Sequence, residues 1–182
     1  MMFRALLLLG WAAAAAAAEG VSVETTRRGS AVEVRAYAVV EAMHATVWET
    51  VTDYERLAQF VPGMRSSRIV ARRDGDLVVE QRGETRFLAF TYPVEVTLLA
   101  SARPPDAVEV HLLHGSLKRL DGTYRLEPAG AGRIALRWTG LIEPVALPPL
   151  LGELVMRATI ASQFTGMVHE IERREALKGK GR

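Results

Sequence analysis

Apolar and polar residues alternate through most of the chain between Val32 and Glu143, as in strands with one face in a core and one in water. A polar segment at residues 19–30, which predicts a lead-in strand and turn, precedes the first alternating segment, residues 31–41. After a change of period, six further predicted strands span residues 65–73, 76–82, 85–101, 107–114, 117–127 and 133–143. Turn signals such as Asp74-Gly75 and Gly115-Ser116 separate them, which favours antiparallel pairing between consecutive strands.

Two other segments do not follow the strand period. Residues 43–64 predict two short helices, one around Val47, Trp48 and Val51 and a second over residues 54–60, which Val61-Pro62-Gly63 ends. Inside the longest strand, Pro93 predicts an edge position or a bulge, because proline cannot donate to the ladder.

The C-terminal stretch, residues 147–177, predicts one long helix. Steps of four and three separate the apolar or small residues Leu147, Leu151, Leu154, Ala158, Ala161, Thr165 and Val168. A helix of this length needs a partner surface for its stripe. We therefore predict an α+β fold in which this helix lies across a curved antiparallel sheet and a ligand is held between them. Residues 178–182 form a short basic tail.

Length and composition narrow the function classes. The chain has 182 residues, a formal net charge of +2 and no cysteine, so disulfides, thiolate metal sites and cysteine nucleophiles are excluded. Residues 19–177 suffice for one domain with a sizeable core. The near balance of charge gives no strong field to recruit nucleic acid.

The N-terminal segment Met1 to Ala18 predicts a secretory signal peptide. Arg4 supplies the positive start, an alanine- and leucine-rich run follows, and Ala16 and Ala18 give a small-residue cleavage site. We expect export to the periplasm of a bacterium. The alternative is an uncleaved segment that anchors the protein to the inner membrane, although the run is short for a span.

Searches for catalytic and metal motifs find little. The chain has four histidines, and His111 and His114 are three apart on a predicted strand, so they cannot chelate one ion together. No G-x-S-x-G elbow and no glycine-rich phosphate loop is present. We expect no metal, no cofactor and no nucleic-acid partner.

The predicted inner face combines aromatic and aliphatic residues with a few polar groups. Each polar group alone is most simply a satisfied core residue, but several together suggest a cavity that holds a ligand. The candidate cavity residues are Met64, Gln81, Phe90, Tyr92, His114, Tyr124 and Trp138 from the sheet, and Val155, Thr159 and Gln163 from the helix.

Three segments resemble a known family. Residues 47–55 and 60–64 resemble the opening of the polyketide cyclase/dehydrase and coenzyme Q-binding group of the START-like helix-grip (SRPBCC) superfamily. Residues 120–126 resemble a later strand of that group, and Pro148-Pro149 begins a helix where its closing helix begins. The likeness covers residues 32–177. It implies a seven-stranded antiparallel sheet that grips the C-terminal helix.

The resemblance also implies a hydrophobic cavity for a lipid, an isoprenoid quinone or a polyketide-like aromatic. Coenzyme Q binders of the group act as lipid chaperones, which favours a non-enzymatic binding or transport protein. Those relatives are usually intracellular, whereas this chain carries a predicted export signal. The partners we expect are therefore a hydrophobic small molecule and, transiently, a membrane; the oligomeric state is left open.

Two alternatives stay open from the sequence. One is a cyclase or dehydratase that works in the same cavity, for which His114 and Tyr124 are the acid–base candidates. The other is a scaffold with a filled core that binds only proteins.

Overall fold

The computed structural model describes residues 20–87, 90–145 and 149–180, without the side chains of residues 86, 87, 90 and 149–151. The predicted signal segment, residues 1–18, and the predicted stripe position Leu147 lie outside the described residues. The strands are β1 (Ser22–Arg28), β2 (Ala31–Val40), β3 (Met64–Arg73), β4 (Asp76–Phe87), β5 (Phe90–Arg103), β6 (Ala107–Gly115), β7 (Leu117–Pro128) and β8 (Ile134–Pro144). The helices are α1 (His44–Val51), a 3₁₀ helix (Tyr54–Gln59) and α2 (Pro149–Lys180).

All the strands join one antiparallel sheet in the order β1-β2-β8-β7-β6-β5-β4-β3. The predicted α+β helix-grip architecture is thus confirmed, but the strand count of seven is wrong. The polar lead-in forms an eighth strand, because residues 22–28 pair with residues 31–37 through a tight turn at Gly29, which has a φ of 64°. The second short helix is also a 3₁₀ turn and not an α-helix.

Pro93 lies where its missing N–H is not needed. On one side β5 pairs with β4, with Pro93 opposite Glu84. On the other side the pairing with β6 begins only at Val96. Pro93 therefore occupies a local edge, as its position in the sequence predicts.

Helix α2 lies across the concave face against β1, β2, β4 and α1. The apolar stripe predicted on it is right at Val168, which is buried, and wrong at Leu154, which is 56% exposed, and at Ala158. Among the described side chains, the buried apolar residues of the helix are Val155, Met156, Phe164, Met167, Val168 and Ile171. Bulky side chains such as Met156 and Phe164 determine the buried face, because they bury more apolar area than Ala158 and Ala161 of the predicted stripe.

Two features fix the C-terminal half of α2 to the rest of the domain. Arg174 donates hydrogen bonds to Glu170 on its own helix at 2.7 Å and to Asp53, just before the 3₁₀ helix, at 2.8 Å. At Gly166 the helix backbone comes so close that a Cβ atom would lie 2.3 Å from the carbonyl oxygen of Phe60. The helix is thus held against both ends of the 3₁₀ segment that follows α1.

Trp138 is accommodated by a pair of glycines. Gly122 on β7 and Gly140 on β8 are register partners, and the indole of Trp138 lies over both. A Cβ atom on Gly140 would lie 2.3 Å from the indole. The glycines therefore let a large aromatic ring lie flat against the sheet.

Candidate ligand-binding site

A cavity lies between the sheet and the N-terminal half of α2. It has a deep compartment of about 140 Å³, a middle one of about 160 Å³ and an outer one of about 190 Å³. The deep and middle compartments share Gln81 and Gln163 as wall residues. The middle and outer compartments share Val94 and Thr159, so the three compartments adjoin one another.

A side opening connects this space to the surface. It measures about 370 Å³ and is bordered by the loop at Pro62 and Gly63 on one side and by α2 on the other. Thr159 borders the opening as well as the middle and outer compartments. This residue is therefore at the junction of the opening with the middle and outer compartments.

The side chains of α2 differ along the helix. Toward the C-terminus, Phe164, Met167 and Ile171 are buried and pack under the helix. Toward the N-terminus, Val155 and Thr159 line the outer compartment and Met156 lines both the middle and the outer one. The helix therefore packs tightly at one end and borders the cavity at the other.

The polar groups of the deep compartment are all neutral. Tyr54, Gln81, Tyr124 and Gln163 line it together with apolar residues. The amide of Gln81 is 3.4 Å from the hydroxyl of Ser67. The hydroxyl of Tyr54 is buried and has no hydrogen-bond partner among the described residues.

Burial keeps both phenols of this compartment protonated. It raises the pKa of Tyr54 to about 12, because the charged phenolate would be poorly solvated. Burial, and secondarily the nearby Tyr54, raises the pKa of Tyr124 to about 12. At neutral pH both groups are therefore neutral hydrogen-bond donors.

Charged residues border the cavity only near its mouth, as far as the described residues show. Arg82 and Glu84 border the middle compartment, and the carboxylate of Glu84 forms an ion pair with Arg65. No cluster of metal-ligating residues occurs in the part of the chain that the structure describes. The cavity chemistry is thus apolar, with neutral hydrogen-bonding groups at the deep end.

Most of the predicted cavity residues lie around this space. Met64, Gln81, Tyr124, Trp138 and Gln163 line the deep compartment, and Tyr92, Val155 and Thr159 line the outer one. The side chain of Phe90 lies outside the described residues. Their role in binding a ligand stays a prediction.

His114 is the exception, because the structure places it on the outer face of the sheet. A bulge in β6 separates the pair Leu98–Leu112 from the pair Thr97–His114. Leu98 faces the cavity, so His114, beside Thr97, points away from it and is exposed. The extra residue at the bulge reverses the alternation on which the prediction relied.

Several wall residues had not been chosen from the sequence. Tyr54 enters from the 3₁₀ helix, and Ile160 enters from α2. The correct helix phase, set by the bulky residues Met156, Ile160 and Phe164 at steps of four, could have indicated Ile160. No pattern in the sequence distinguishes Tyr54 from an ordinary helix residue.

The outer compartment ends at an apolar surface. Tyr92 and Val145, which border it, are among the exposed large apolar residues of the chain. Among the described residues, no helix combines the length and the apolar character needed to cross a membrane.

Comparison with known proteins gives the same fold. Residues 40–166 match the model of the family described as polyketide cyclase/dehydrase and lipid transport. No curated protein sequence matches this chain significantly.

Solved structures of low sequence identity share the architecture. The Zhui aromatase/cyclase from Streptomyces sp. R1128 has a TM-score of 0.68 at 15% identity, over 82% of this chain and 96% of that one. The STAR-related lipid transfer protein from Xanthomonas axonopodis has a TM-score of 0.66 at 14% identity, over 85% of this chain and 94% of that one. A protein from Thermus thermophilus has a TM-score of 0.67 at 19% identity, over 76% of this chain and 96% of that one. At these identities the likeness establishes the fold alone.

Proposed function

Because the chain belongs to the polyketide cyclase/dehydrase and lipid transport family, we propose that it binds and carries one apolar small molecule in the cavity under α2. The ligand class is a lipid, an isoprenoid quinone or a polyketide-like aromatic. The observation that carries this proposal is the set of three adjoining compartments under α2, with largely apolar walls and a neutral polar end.

The size of the cavity supports a small organic ligand. Its three compartments together reach the lower half of the range of about 300–1,000 Å³ typical of small-molecule sites. Burial of about 300 Å² of apolar ligand surface is worth about 7 kcal/mol before ordering costs. A scaffold with a filled core does not account for this space.

The ionisable groups of the deep compartment favour a carrier over a cyclase, and the carboxylate of Glu84, which borders the middle compartment, is engaged by Arg65. General acid–base catalysis needs a group with a pKa near the working pH. Among the described residues of the deep compartment the ionisable groups are Tyr54 and Tyr124, whose pKa is raised to about 12. His114, the other candidate from the sequence, lies on the outer face.

The cellular location is part of the same proposal. The signal peptide predicted over residues 1–18 supports export to the periplasm, where an apolar compound needs a carrier to move through water. We expect the exposed Tyr92 and Val145 to contact a membrane transiently while the ligand enters. Mass spectrometry of the protein expressed with its leader tests the export step: cleavage after Ala18 is expected, and an intact Met1 would contradict it.

The binding proposal is tested with the neutral apolar fluorophore N-phenyl-1-naphthylamine. We expect saturable fluorescence enhancement at one probe per chain, lost in Thr159→Trp because the indole occupies the junction of the cavity. Ala176→Trp is the matched control, since residue 176 is exposed on the same helix far from the cavity. Equal binding by both variants, or no binding by the wild type, would refute the proposal.

A further inference from the structure

The hydroxyl of Tyr54, a residue that lines the deep compartment, is a buried donor without a partner among the described residues. The residue is only 7% exposed, and its hydroxyl has no hydrogen-bond partner among the described residues. An unsatisfied buried polar group costs about 1–3 kcal/mol. A phenylalanine at position 54 would fill the same apolar wall without that cost. The hydroxyl therefore indicates that a hydrogen-bond acceptor occupies the compartment when the protein is loaded.

The surroundings of this hydroxyl define what that partner can be. Tyr124, close enough to Tyr54 for the two to interact electrostatically, is a second phenol, and the amide of Gln163 lines the same compartment. No charged side chain borders the deep compartment among the residues described. An ionised head group would therefore lose its hydration there without a counter-charge in return.

We propose that the deep compartment is a subsite for one neutral carbonyl oxygen at the end of an apolar ligand, which accepts a hydrogen bond from the Tyr54 hydroxyl beside Tyr124. The ligand enters with its carbonyl end first and leaves its apolar remainder in the middle and outer compartments. This inference rests on the proposed function and narrows its ligand class to neutral ketones, quinones and esters. Fatty-acid carboxylates and phospholipid head groups do not fit the subsite.

The experiment uses two probes of nearly the same shape. 2-Acetylnaphthalene carries a carbonyl where 2-isopropenylnaphthalene carries a methylene group, and each is used to displace N-phenyl-1-naphthylamine from the full chain. For one neutral hydrogen bond we expect the wild type to prefer the ketone by about three- to tenfold. Tyr54→Phe is expected to remove this preference, so that the variant binds the ketone and the hydrocarbon with about equal affinity.

Tyr37→Phe is the matched control. Tyr37 alternates with the buried Ala36 and Ala38, so it lies on the outer face, where the guanidinium of Arg137 is 4.5 Å from its ring centroid. Loss of its hydroxyl should leave the ketone preference intact. A wild type with no preference, or a Tyr54→Phe variant that keeps it, would overturn the carbonyl subsite.

A second readout needs no variant. The carbonyl stretch of bound 2-acetylnaphthalene, isotopically labelled at the carbonyl carbon, is expected at lower wavenumber than in a hydrocarbon solvent because the oxygen accepts a hydrogen bond. A band at the wavenumber found in the hydrocarbon solvent would overturn the carbonyl subsite but not the proposed function. By contrast, failure of the fluorophore to bind the wild type at all would overturn the proposed function as well.

Discussion

Replacement of Glu170 by glutamine tests how α2 is held over the sheet. The Glu170 side chain is only 9% exposed and accepts hydrogen bonds from Arg173 at 2.6 Å and from Arg174 at 2.7 Å. Arg174 also donates to Asp53, so the carboxylate belongs to a network that connects α2 with the 3₁₀ segment. Loss of its charge should loosen the helix at this point.

The magnitude follows from the pKa of Glu170. The hydrogen bond from Arg173 and then that from Arg174 lower this pKa from 4.5 to about 2, against the opposing effect of burial. A shift of that size corresponds to about 3 kcal/mol. Because Arg173 is 59% exposed and screened by solvent, we expect Glu170→Gln to cost about 2 kcal/mol at neutral pH.

The pH dependence has a defined sign. The folded pKa lies below the unfolded one, so the stabilisation is fully present above pH 4.5 and is lost as the pH falls toward 2. Urea unfolding followed by circular dichroism should show a gap of about 2 kcal/mol between wild type and variant at neutral pH. That gap should shrink steadily below pH 4.5.

Glu172→Gln is the matched control, because Glu172 is exposed on the same helix. We expect its free energy of unfolding to stay within about 0.5 kcal/mol of the wild type at every pH. Equal losses in the two variants would refute the reasoning, and so would a Glu170→Gln gap that does not change with pH.

Three further changes test the packing and the cavity. Gly166→Ala should lower the free energy of unfolding, measured by denaturant titration, by about 1–3 kcal/mol, because its Cβ would lie 2.3 Å from a loop carbonyl oxygen. Gly179→Ala has open space around it and should be neutral or stabilising in the same titration. Gly140→Ala should destabilise similarly and shift Trp138 fluorescence to longer wavelength, since the new Cβ would lie 2.3 Å from the indole; unchanged emission would contradict the packing described. The affinity for 2-acetylnaphthalene, measured by fluorophore displacement, should be constant from about pH 6 to pH 9, because both phenols of the deep compartment have a pKa of about 12. A change of affinity between those pH values would contradict the role of the phenols as neutral hydrogen-bond donors.

The regular parts of the fold could be predicted from the sequence because they follow local periods. Alternation over residues 31–41 locates β2 at Ala31–Val40, and turn signals such as Asp74-Gly75 locate the hairpins. Short connections predict the neighbours from β3 to β8, but the predicted pairing of consecutive strands is wrong for β2 and β3. β2 pairs with β8, and β3 forms the opposite edge of the sheet, because the two short helices carry the chain from one strand to the other. The long helix ends at Lys180, beyond the predicted Leu177.

Other wrong predictions concern the direction of side chains that tertiary contacts determine. A bulge in β6 reversed the direction of His114, and no residue near it marks the extra position. The face of α2 depends on which side chains fill the core, so Leu154, a strongly apolar residue, is exposed in spite of its predicted place on the stripe. The Tyr54 hydroxyl comes from the 3₁₀ helix, which is too short to show a period of apolar residues that would mark its buried side.

The central claim is that an apolar molecule occupies the space between α2 and the sheet. The most direct measurement is mass spectrometry of an organic-solvent extract of the natively purified protein, compared with extracts of Thr159→Trp and Ala176→Trp. We predict one neutral apolar compound in about equimolar amount with the wild type and Ala176→Trp, and none with Thr159→Trp. An extract without such a compound from all three proteins, or the same compound retained by Thr159→Trp, would contradict the claim.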